Sequence, residues 1–203
     1  MYDELDILRE IGSTAAGHGS IALSEILGRK IVLEVPSVDI ITYQETPKKL
    51  ISKKLEIATF SKIYEGFPGW VVFILDAKNA LKLVDLSCKI RIEEKKLSVL
   101  VEIGLSLIRE IGSIIVGSYL DALGSMFRKV IIPSFPTLMS STIDDILFLM
   151  FSLYGTDEYA CLIETIFQES KEDIRGGFYL ILSPEGFKEI RDACKSLLEE
   201  RKK

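Results

Sequence analysis

Side-chain amides are almost missing from this sequence: Asn79 is its one asparagine, and Gln44 and Gln168 are its two glutamines in 203 residues. Depletion of thermolabile amides beside plentiful Glu, Lys and Ile is the bias reported for hyperthermophiles, and it predicts a thermophilic source. Histidine is as scarce. His18 stands alone, which leaves a metal site or a Ser-His-Asp triad little to build from. Cys88, Cys161 and Cys194 are odd in number, lack metal-ligand spacing and sit among apolar neighbours. They read as buried thiols of a reducing compartment. Basic excess is absent too: a net charge of -5 and a pI near 5.1 argue against a nucleic-acid surface, which would show clustered Lys and Arg. The one basic cluster, Lys48, Lys49, Lys53 and Lys54, fits a solvated connecting segment. No secretory or membrane signal is visible, since the first residues are acidic at Asp3 and Glu4 and the apolar stretch Val99 to Leu120 is broken by Glu102, Arg109 and Glu110. The expectation is a soluble, cytoplasmic protein. A mean hydropathy of +0.27 then points to a large core or a buried partner interface.

What is present is a sequence that says one thing twice. Arg9-Glu10-Ile11-Gly12-Ser13 reappears one hundred residues later as Arg109-Glu110-Ile111-Gly112-Ser113, and the match continues through Gly17 and Gly117, Ala22-Leu23 and Ala122-Leu123, to Pro36 and Pro136. Repeated units bury their apolar faces against each other. The reading is therefore a single domain over 1–203 with internal repeats at about 3–90 and 91–200, pseudo-two-fold and expected to be monomeric.

Each half runs in the same order. Asp3 to about Leu27 has helical spacing, and Gly17 and Gly28 predict two consecutive helices. Ile31 to Pro36 reads as a strand ended by proline. Leu55 to Tyr64 and Trp70 to Leu75 read as paired strands about the turn Gly66-Phe67-Pro68-Gly69, followed by a short helix from the cap Asp76 to about Cys88. In the second half, Glu93 to Phe127 reads as a helix, Val130 to Ile132 as a strand, and Ser141 to Leu153 as a helix. Ala160 to Phe167 and Phe178 to Leu182 form a hairpin, and Ser183-Pro184-Glu185 opens the last helix. The predicted class is α/β of the α+β type, a mostly antiparallel sheet packed with long helices.

The polar residues inside the repeat carry the chemistry. Asp6, Glu10, Ser13 and Pro36 have the same spacing as Ser106, Glu110, Ser113 and Pro136. Residues three and four apart share a helix face, so each copy offers a carboxylate and a small polar group about one turn apart. Taken alone, such a stripe is a solvated helix face. Gly12, Gly17, Gly112 and Gly117 read as close helix contacts or breaks. Pro36 and Pro136 read as fixing the chain where it leaves a strand.

The doubled spacing resembles the CheC, CheX and FliY family of chemotaxis phosphatases, whose signature is Asp or Ser, three residues, Glu, two residues, Asn, twenty-two residues, Pro. The resemblance covers nearly the whole chain, taking in Ala22-Leu23-Ser24 and Gly117-Ser118-Tyr119-Leu120. It departs at one residue type, because Ser13 and Ser113 stand where the family has Asn. It implies dephosphorylation of the response regulator CheY, with Glu10 and Glu110 docking on a regulator Lys and Ser13 and Ser113 in the place of the amide that orients the attacking water. Mg²⁺ would be carried by CheY, and no cofactor of this chain's own is implied. Phosphoryl transfer needs mainly positioning and charge neutralisation. A hydroxyl can hold a water, yet it is shorter than the amide and lacks its planar donor and acceptor pair. Two functions stay open: a CheY phosphatase, or a CheC-type adaptor with weak or no catalysis that binds CheY, the receptor deamidase CheD, or both.

Overall fold

The computed structural model describes residues 4–42, 54–87, 97–152 and 159–200. In chain order the elements are α1 (Glu4–Leu27), β1 (Ile31–Thr42), β2 (Glu56–Glu65), β3 (Gly69–Asp76), α2 (Ala77–Ser87), α3 (Leu97–Phe127), β4 (Ile132–Pro133), β5 (Thr137–Ser141), α4 (Ile143–Ser152), β6 (Tyr159–Glu169), β7 (Ile174–Leu182) and α5 (Pro184–Glu200). The seven strands pair antiparallel in the order β1-β6-β7-β3-β2-β4, with β5 also on β2. This order is symmetric about the β7–β3 pair. Strand β1 of the first half lies on the second half's β6–β7 hairpin, while β4 and β5 of the second half lie on the first half's β2–β3 hairpin. Each half lends its leading strand to the other.

Local chemistry explains several boundaries. Helix α1 ends where Gly28 takes a φ of +60 and Arg29 N–H reaches back to the Ser24 carbonyl at 3.2 Å. Helix α3 ends the same way, with Arg128 at φ 53 and Lys129 N–H donating to the Gly124 carbonyl at 2.9 Å. Glycine is the low-cost residue for that left-handed position; Arg128 adopts it at some strain. Asp76 caps α2 by accepting from Asn79 N–H at 2.7 Å, and Ser183 caps α5 by accepting from Gly186 N–H at 3.1 Å. Both caps match the sequence expectation. So does the β2–β3 turn, where Gly66 has a φ of +105.

Three expectations are corrected. Helix α1 is one continuous helix: Gly17 is exposed, a β-carbon there would meet nothing within 4 Å, and buried Ala15, Ala16 and Leu23 hold the helix together across it. Its propensity cost of about 1 kcal/mol is too small to break a packed helix. Strand β1 does not end at Pro36. It runs on to Thr42, with a register shift between Glu34 and Ser37 that absorbs the missing N–H, at a bulge in an edge strand where proline is tolerated. Finally, β4 is only Ile132–Pro133, and β5, absent from the sequence reading, pairs Thr137–Ser141 with β2.

The main core lies between one sheet face and α1, α2, α3 and α5. Its buried aromatics meet edge-on or tilted: Phe73 with Phe167 across the two halves at 5.6 Å, and Tyr119 with Phe178 within the second at 4.8 Å between ring centroids. Truncating such a ring costs about 3–5 kcal/mol. A second cluster seats Ile143, Ile146, Leu147 and Met150 of α4 on the opposite sheet face. Residues Glu102–Phe127 of α3 are apolar and long enough to cross a membrane by length and composition, and 44% of the most apolar stretch is buried against the rest of this molecule. Cys161 and Cys194 are buried and in no disulfide, while Cys88 and Lys48, Lys49 and Lys53 lie outside the described residues.

Candidate functional site

Both candidate motifs fall on helices that lie side by side over the same sheet face. On α1, Leu8, Ile11, Gly12, Ala15 and Ala16 point inward, and this leaves Asp6, Glu10 and Ser13 exposed on one stripe. On α3, Ile108, Ile111, Gly112, Ile115 and Val116 are inward, and Ser106, Glu110 and Ser113 are exposed. The apolar period of each helix thus pushes the same polar pattern to solvent. Glu and Ser are roughly 5–6 Å apart at their β-carbons by helix geometry. Among the described residues Glu10 and Glu110 have no ion-pair or side-chain hydrogen-bond partner, and neither do the flanking Arg9 and Arg109. Four charges are held in water, free to meet a partner.

The hydroxyls differ. Ser13 Oγ donates to its own helix, to the Arg9 carbonyl at 2.7 Å, and Thr14 does likewise to the Glu10 carbonyl at 3.0 Å. This back-bonding occupies the single hydroxyl proton and leaves only lone pairs for a water. Ser113 makes no such bond among the described residues, so its hydroxyl can donate and accept.

The two helices are also seated differently. Ser20 and Ser24 on α1 accept from the β1 backbone, Leu33 N–H to Ser20 Oγ at 2.8 Å and Ile31 N–H to Ser24 Oγ at 2.9 Å. Edge-strand N–H groups that would otherwise face solvent are thereby satisfied, and α1 is tied to β1. Helix α3 instead buries bulk: Tyr119, Leu120, Leu123 and Phe127. Gly12 and Gly112 are close contacts, as expected. A β-carbon at residue 12 would lie 3.3 Å from the Tyr119 hydroxyl and 3.6 Å from Val35, and one at residue 112 would collide with Thr59 Oγ1. Gly17 and Gly117 are neither contacts nor breaks; nothing stands within 4 Å of either added β-carbon.

The motif prolines sit on the two sheet edges, Pro36 within β1 and Pro136 immediately before β5. Pro136 does stand at a strand boundary, but where the chain enters β5 rather than where it leaves a strand. Beside it Phe135 is 95% exposed, a surface aromatic that no local spacing signals. Among the described residues no group of three His, Cys, Asp or Glu side chains is arranged to hold a metal ion.

No protein-family model matches the chain. Over 199 residues it is 25% identical to the CheY-P phosphatase CheC of Bacillus subtilis strain 168, covering 93% of this chain and 92% of that protein. The crystal structure of Thermotoga maritima FliY superposes with a TM-score of 0.75 at 22% identity, over 97% of this chain and 98% of that one. The chain is thus similar, along most of its length, to a CheC protein, and it shares its fold with FliY. A more distant fold match is the CheX–CheY–BeF₃–Mg²⁺ complex of Borrelia burgdorferi, with a TM-score of 0.50 at 14% identity, over 86% of this chain and 97% of that one. The packing of α1 and α3 on one sheet face is what places both motif stripes on the outside of their helices. Sequence reasoning found the stripes but missed Ser20 and Ser24, whose signal was their four-residue spacing on the sheet-facing flank of α1.

Proposed function

We propose that this CheC-like protein dephosphorylates phosphorylated CheY through its motif stripes. The observation that carries the proposal is the exposed Glu and Ser presented in the same pattern on both helices, with both Glu side chains unpaired, in a chain similar along most of its length to a CheY-P phosphatase. In this reading Glu10 or Glu110 neutralises a regulator Lys, and the neighbouring hydroxyl holds a water against phosphorus. Water oxygen bonds to phosphorus as the bond to the aspartyl oxygen breaks. The products are inorganic phosphate and the regenerated carboxylate. Mg²⁺ belongs to CheY, and the work left to this chain is positioning and charge.

The second reading is an adaptor that binds CheY, CheD or both without fast hydrolysis. It is favoured by the Ser13 hydroxyl being spent on the Arg9 carbonyl. Both readings take the protein to be cytoplasmic and monomeric. A phosphate-release assay with phosphorylated CheY and Mg²⁺, run at elevated temperature, decides between them. Faster release with the protein present supports the phosphatase; binding with release unchanged supports the adaptor.

A further inference from the structure

Each motif turn rests its glycine on a buried hydroxyl that completes no hydrogen bond of good geometry. Beneath Gly12 is Tyr119 OH, on a side chain 0% exposed; beneath Gly112 is Thr59 Oγ1, on a side chain 1% exposed. Burial pushes the Tyr119 phenol up, and the Thr165 hydroxyl beside it offsets this in part as a weak side-chain hydrogen-bond partner, although neither oxygen completes a hydrogen bond of good geometry. Buried polar groups are normally satisfied, and an orphan costs stability. Phenylalanine at 119 would bury the same ring against Phe178 without that cost. The oxygen's visible work is steric. It stands 3.3 Å from where a residue-12 β-carbon would lie, so it backs the turn from Arg9 to Ser13 at a distance that leaves little room for a side chain there.

The supports differ in origin. Thr59 comes from β2, inside the sheet. Tyr119 comes from α3, the helix that carries the other motif, and its counterpart one hundred residues earlier is Gly19. The α1 turn is thus propped from the second motif helix, whereas the α3 turn rests on the sheet.

We infer that Tyr119 is a positioning residue for the α1 site: its buried hydroxyl sets the height of Glu10 and Ser13 and ties that site to α3. This rests on the reading of the α1 stripe as CheY-facing.

Tyr119→Phe tests it in two backgrounds, Glu110→Lys, which leaves the α1 site, and Glu10→Lys, which leaves the α3 site. In the first, phosphate release from CheY, or affinity for CheY carrying BeF₃⁻ and Mg²⁺, should fall by about threefold or more. In the second it should stay the same, and the Tm of Tyr119→Phe should hold or rise. A purely structural hydroxyl, including one bridged by a buried water, would instead lower Tm and affect both backgrounds alike, which overturns the inference. Gly12→Ala adds a check independent of CheY. It should lower Tm in the wild type and cease to do so in Tyr119→Phe, because the two changes meet in one contact. If the wild-type protein neither binds CheY nor releases phosphate, it is the site reading that has failed. The positioning inference is then judged on backbone amide NMR shifts: Tyr119→Phe should move residues 10–13 and leave 110–113 in place, and unmoved 10–13 shifts reject it.

Discussion

Helices α1 and α3 carry the same five residues, Arg-Glu-Ile-Gly-Ser, and hold them by different means. Helix α1 is thin on its buried side, with Gly12, Ala15, Ala16 and Gly19, and is anchored by two serine hydroxyls to an edge strand. Helix α3 is thicker at the matching positions, with Ile115 for Ala15, Val116 for Ala16 and Tyr119 for Gly19, while Ile11 and Leu23 have equal counterparts in Ile111 and Leu123. Small residues let a helix approach closely and need polar tethers to fix it; large ones fix it by interdigitation. The outward faces reflect this only at one atom. Ser13 turns its proton back to Arg9, and Ser113 does not. An identical motif therefore presents an acceptor on one helix and a full hydroxyl on the other, and the account assigns the greater part of any hydrolysis to α3.

The largest effect should come from removing both helices' docking charges together. Glu10→Lys with Glu110→Lys places like charges against the regulator Lys and should abolish binding to phosphorylated CheY, by about a hundredfold or more. Both residues are exposed and unpaired, so circular dichroism and Tm should barely change. Unchanged affinity in a titration would remove these stripes as the interface.

A smaller effect follows from restoring the amide. Ser13→Asn with Ser113→Asn costs little helix propensity and supplies reach and a donor-acceptor pair. Release from CheY should rise by about tenfold if water placement contributes about 1.4 kcal/mol. The single variants sharpen the contrast: Ser13→Asn should gain more, since it also breaks the bond to the Arg9 carbonyl. A flat rate with intact binding would give the adaptor reading the lead.

How much of this was legible beforehand followed the range of the signal. The caps Asp76 and Ser183, the turn at Gly66 and both hairpins are written in residues within four positions of each other, and the structure has them where the sequence puts them. The stripes were legible as well, because helical period alone turns Glu10 and Glu110 outward. Long-range pairings were not. That β1 passes through Pro36 depends on β6 lying beside it, more than a hundred residues away. Strand β5 exists because β2 offers an open edge. The Ser13 back-bond is a rotamer choice, invisible in a string of letters.

The smallest prediction uses the core beneath β1. Burial, and then the nearby Asp39 charge, push the Cys161 thiol from 9.0 up to about 12. The folded thiol stays protonated while the unfolded one ionises, so stability is fully present below pH 9 and is lost as pH rises toward 12. The slope reaches at most about 1.4 kcal/mol per pH unit. The tyrosines titrate alike in both proteins, so between pH 9 and 10 Tm should fall less steeply in Cys161→Ala than in the wild type. Parallel slopes would mean that this thiol does not titrate differently on folding. No such device lies at the α1 or α3 surface, so CheY binding should be the same in both proteins.

The comparison of the two helices reduces to one measurement, phosphate release from CheY with Mg²⁺ by Glu110→Ala and by Glu10→Ala, each against the wild type. The account predicts that Glu110→Ala loses most of the activity and Glu10→Ala only a minor share, a difference of about threefold or more in rate. Equal losses, or the larger loss at Glu10, would contradict it.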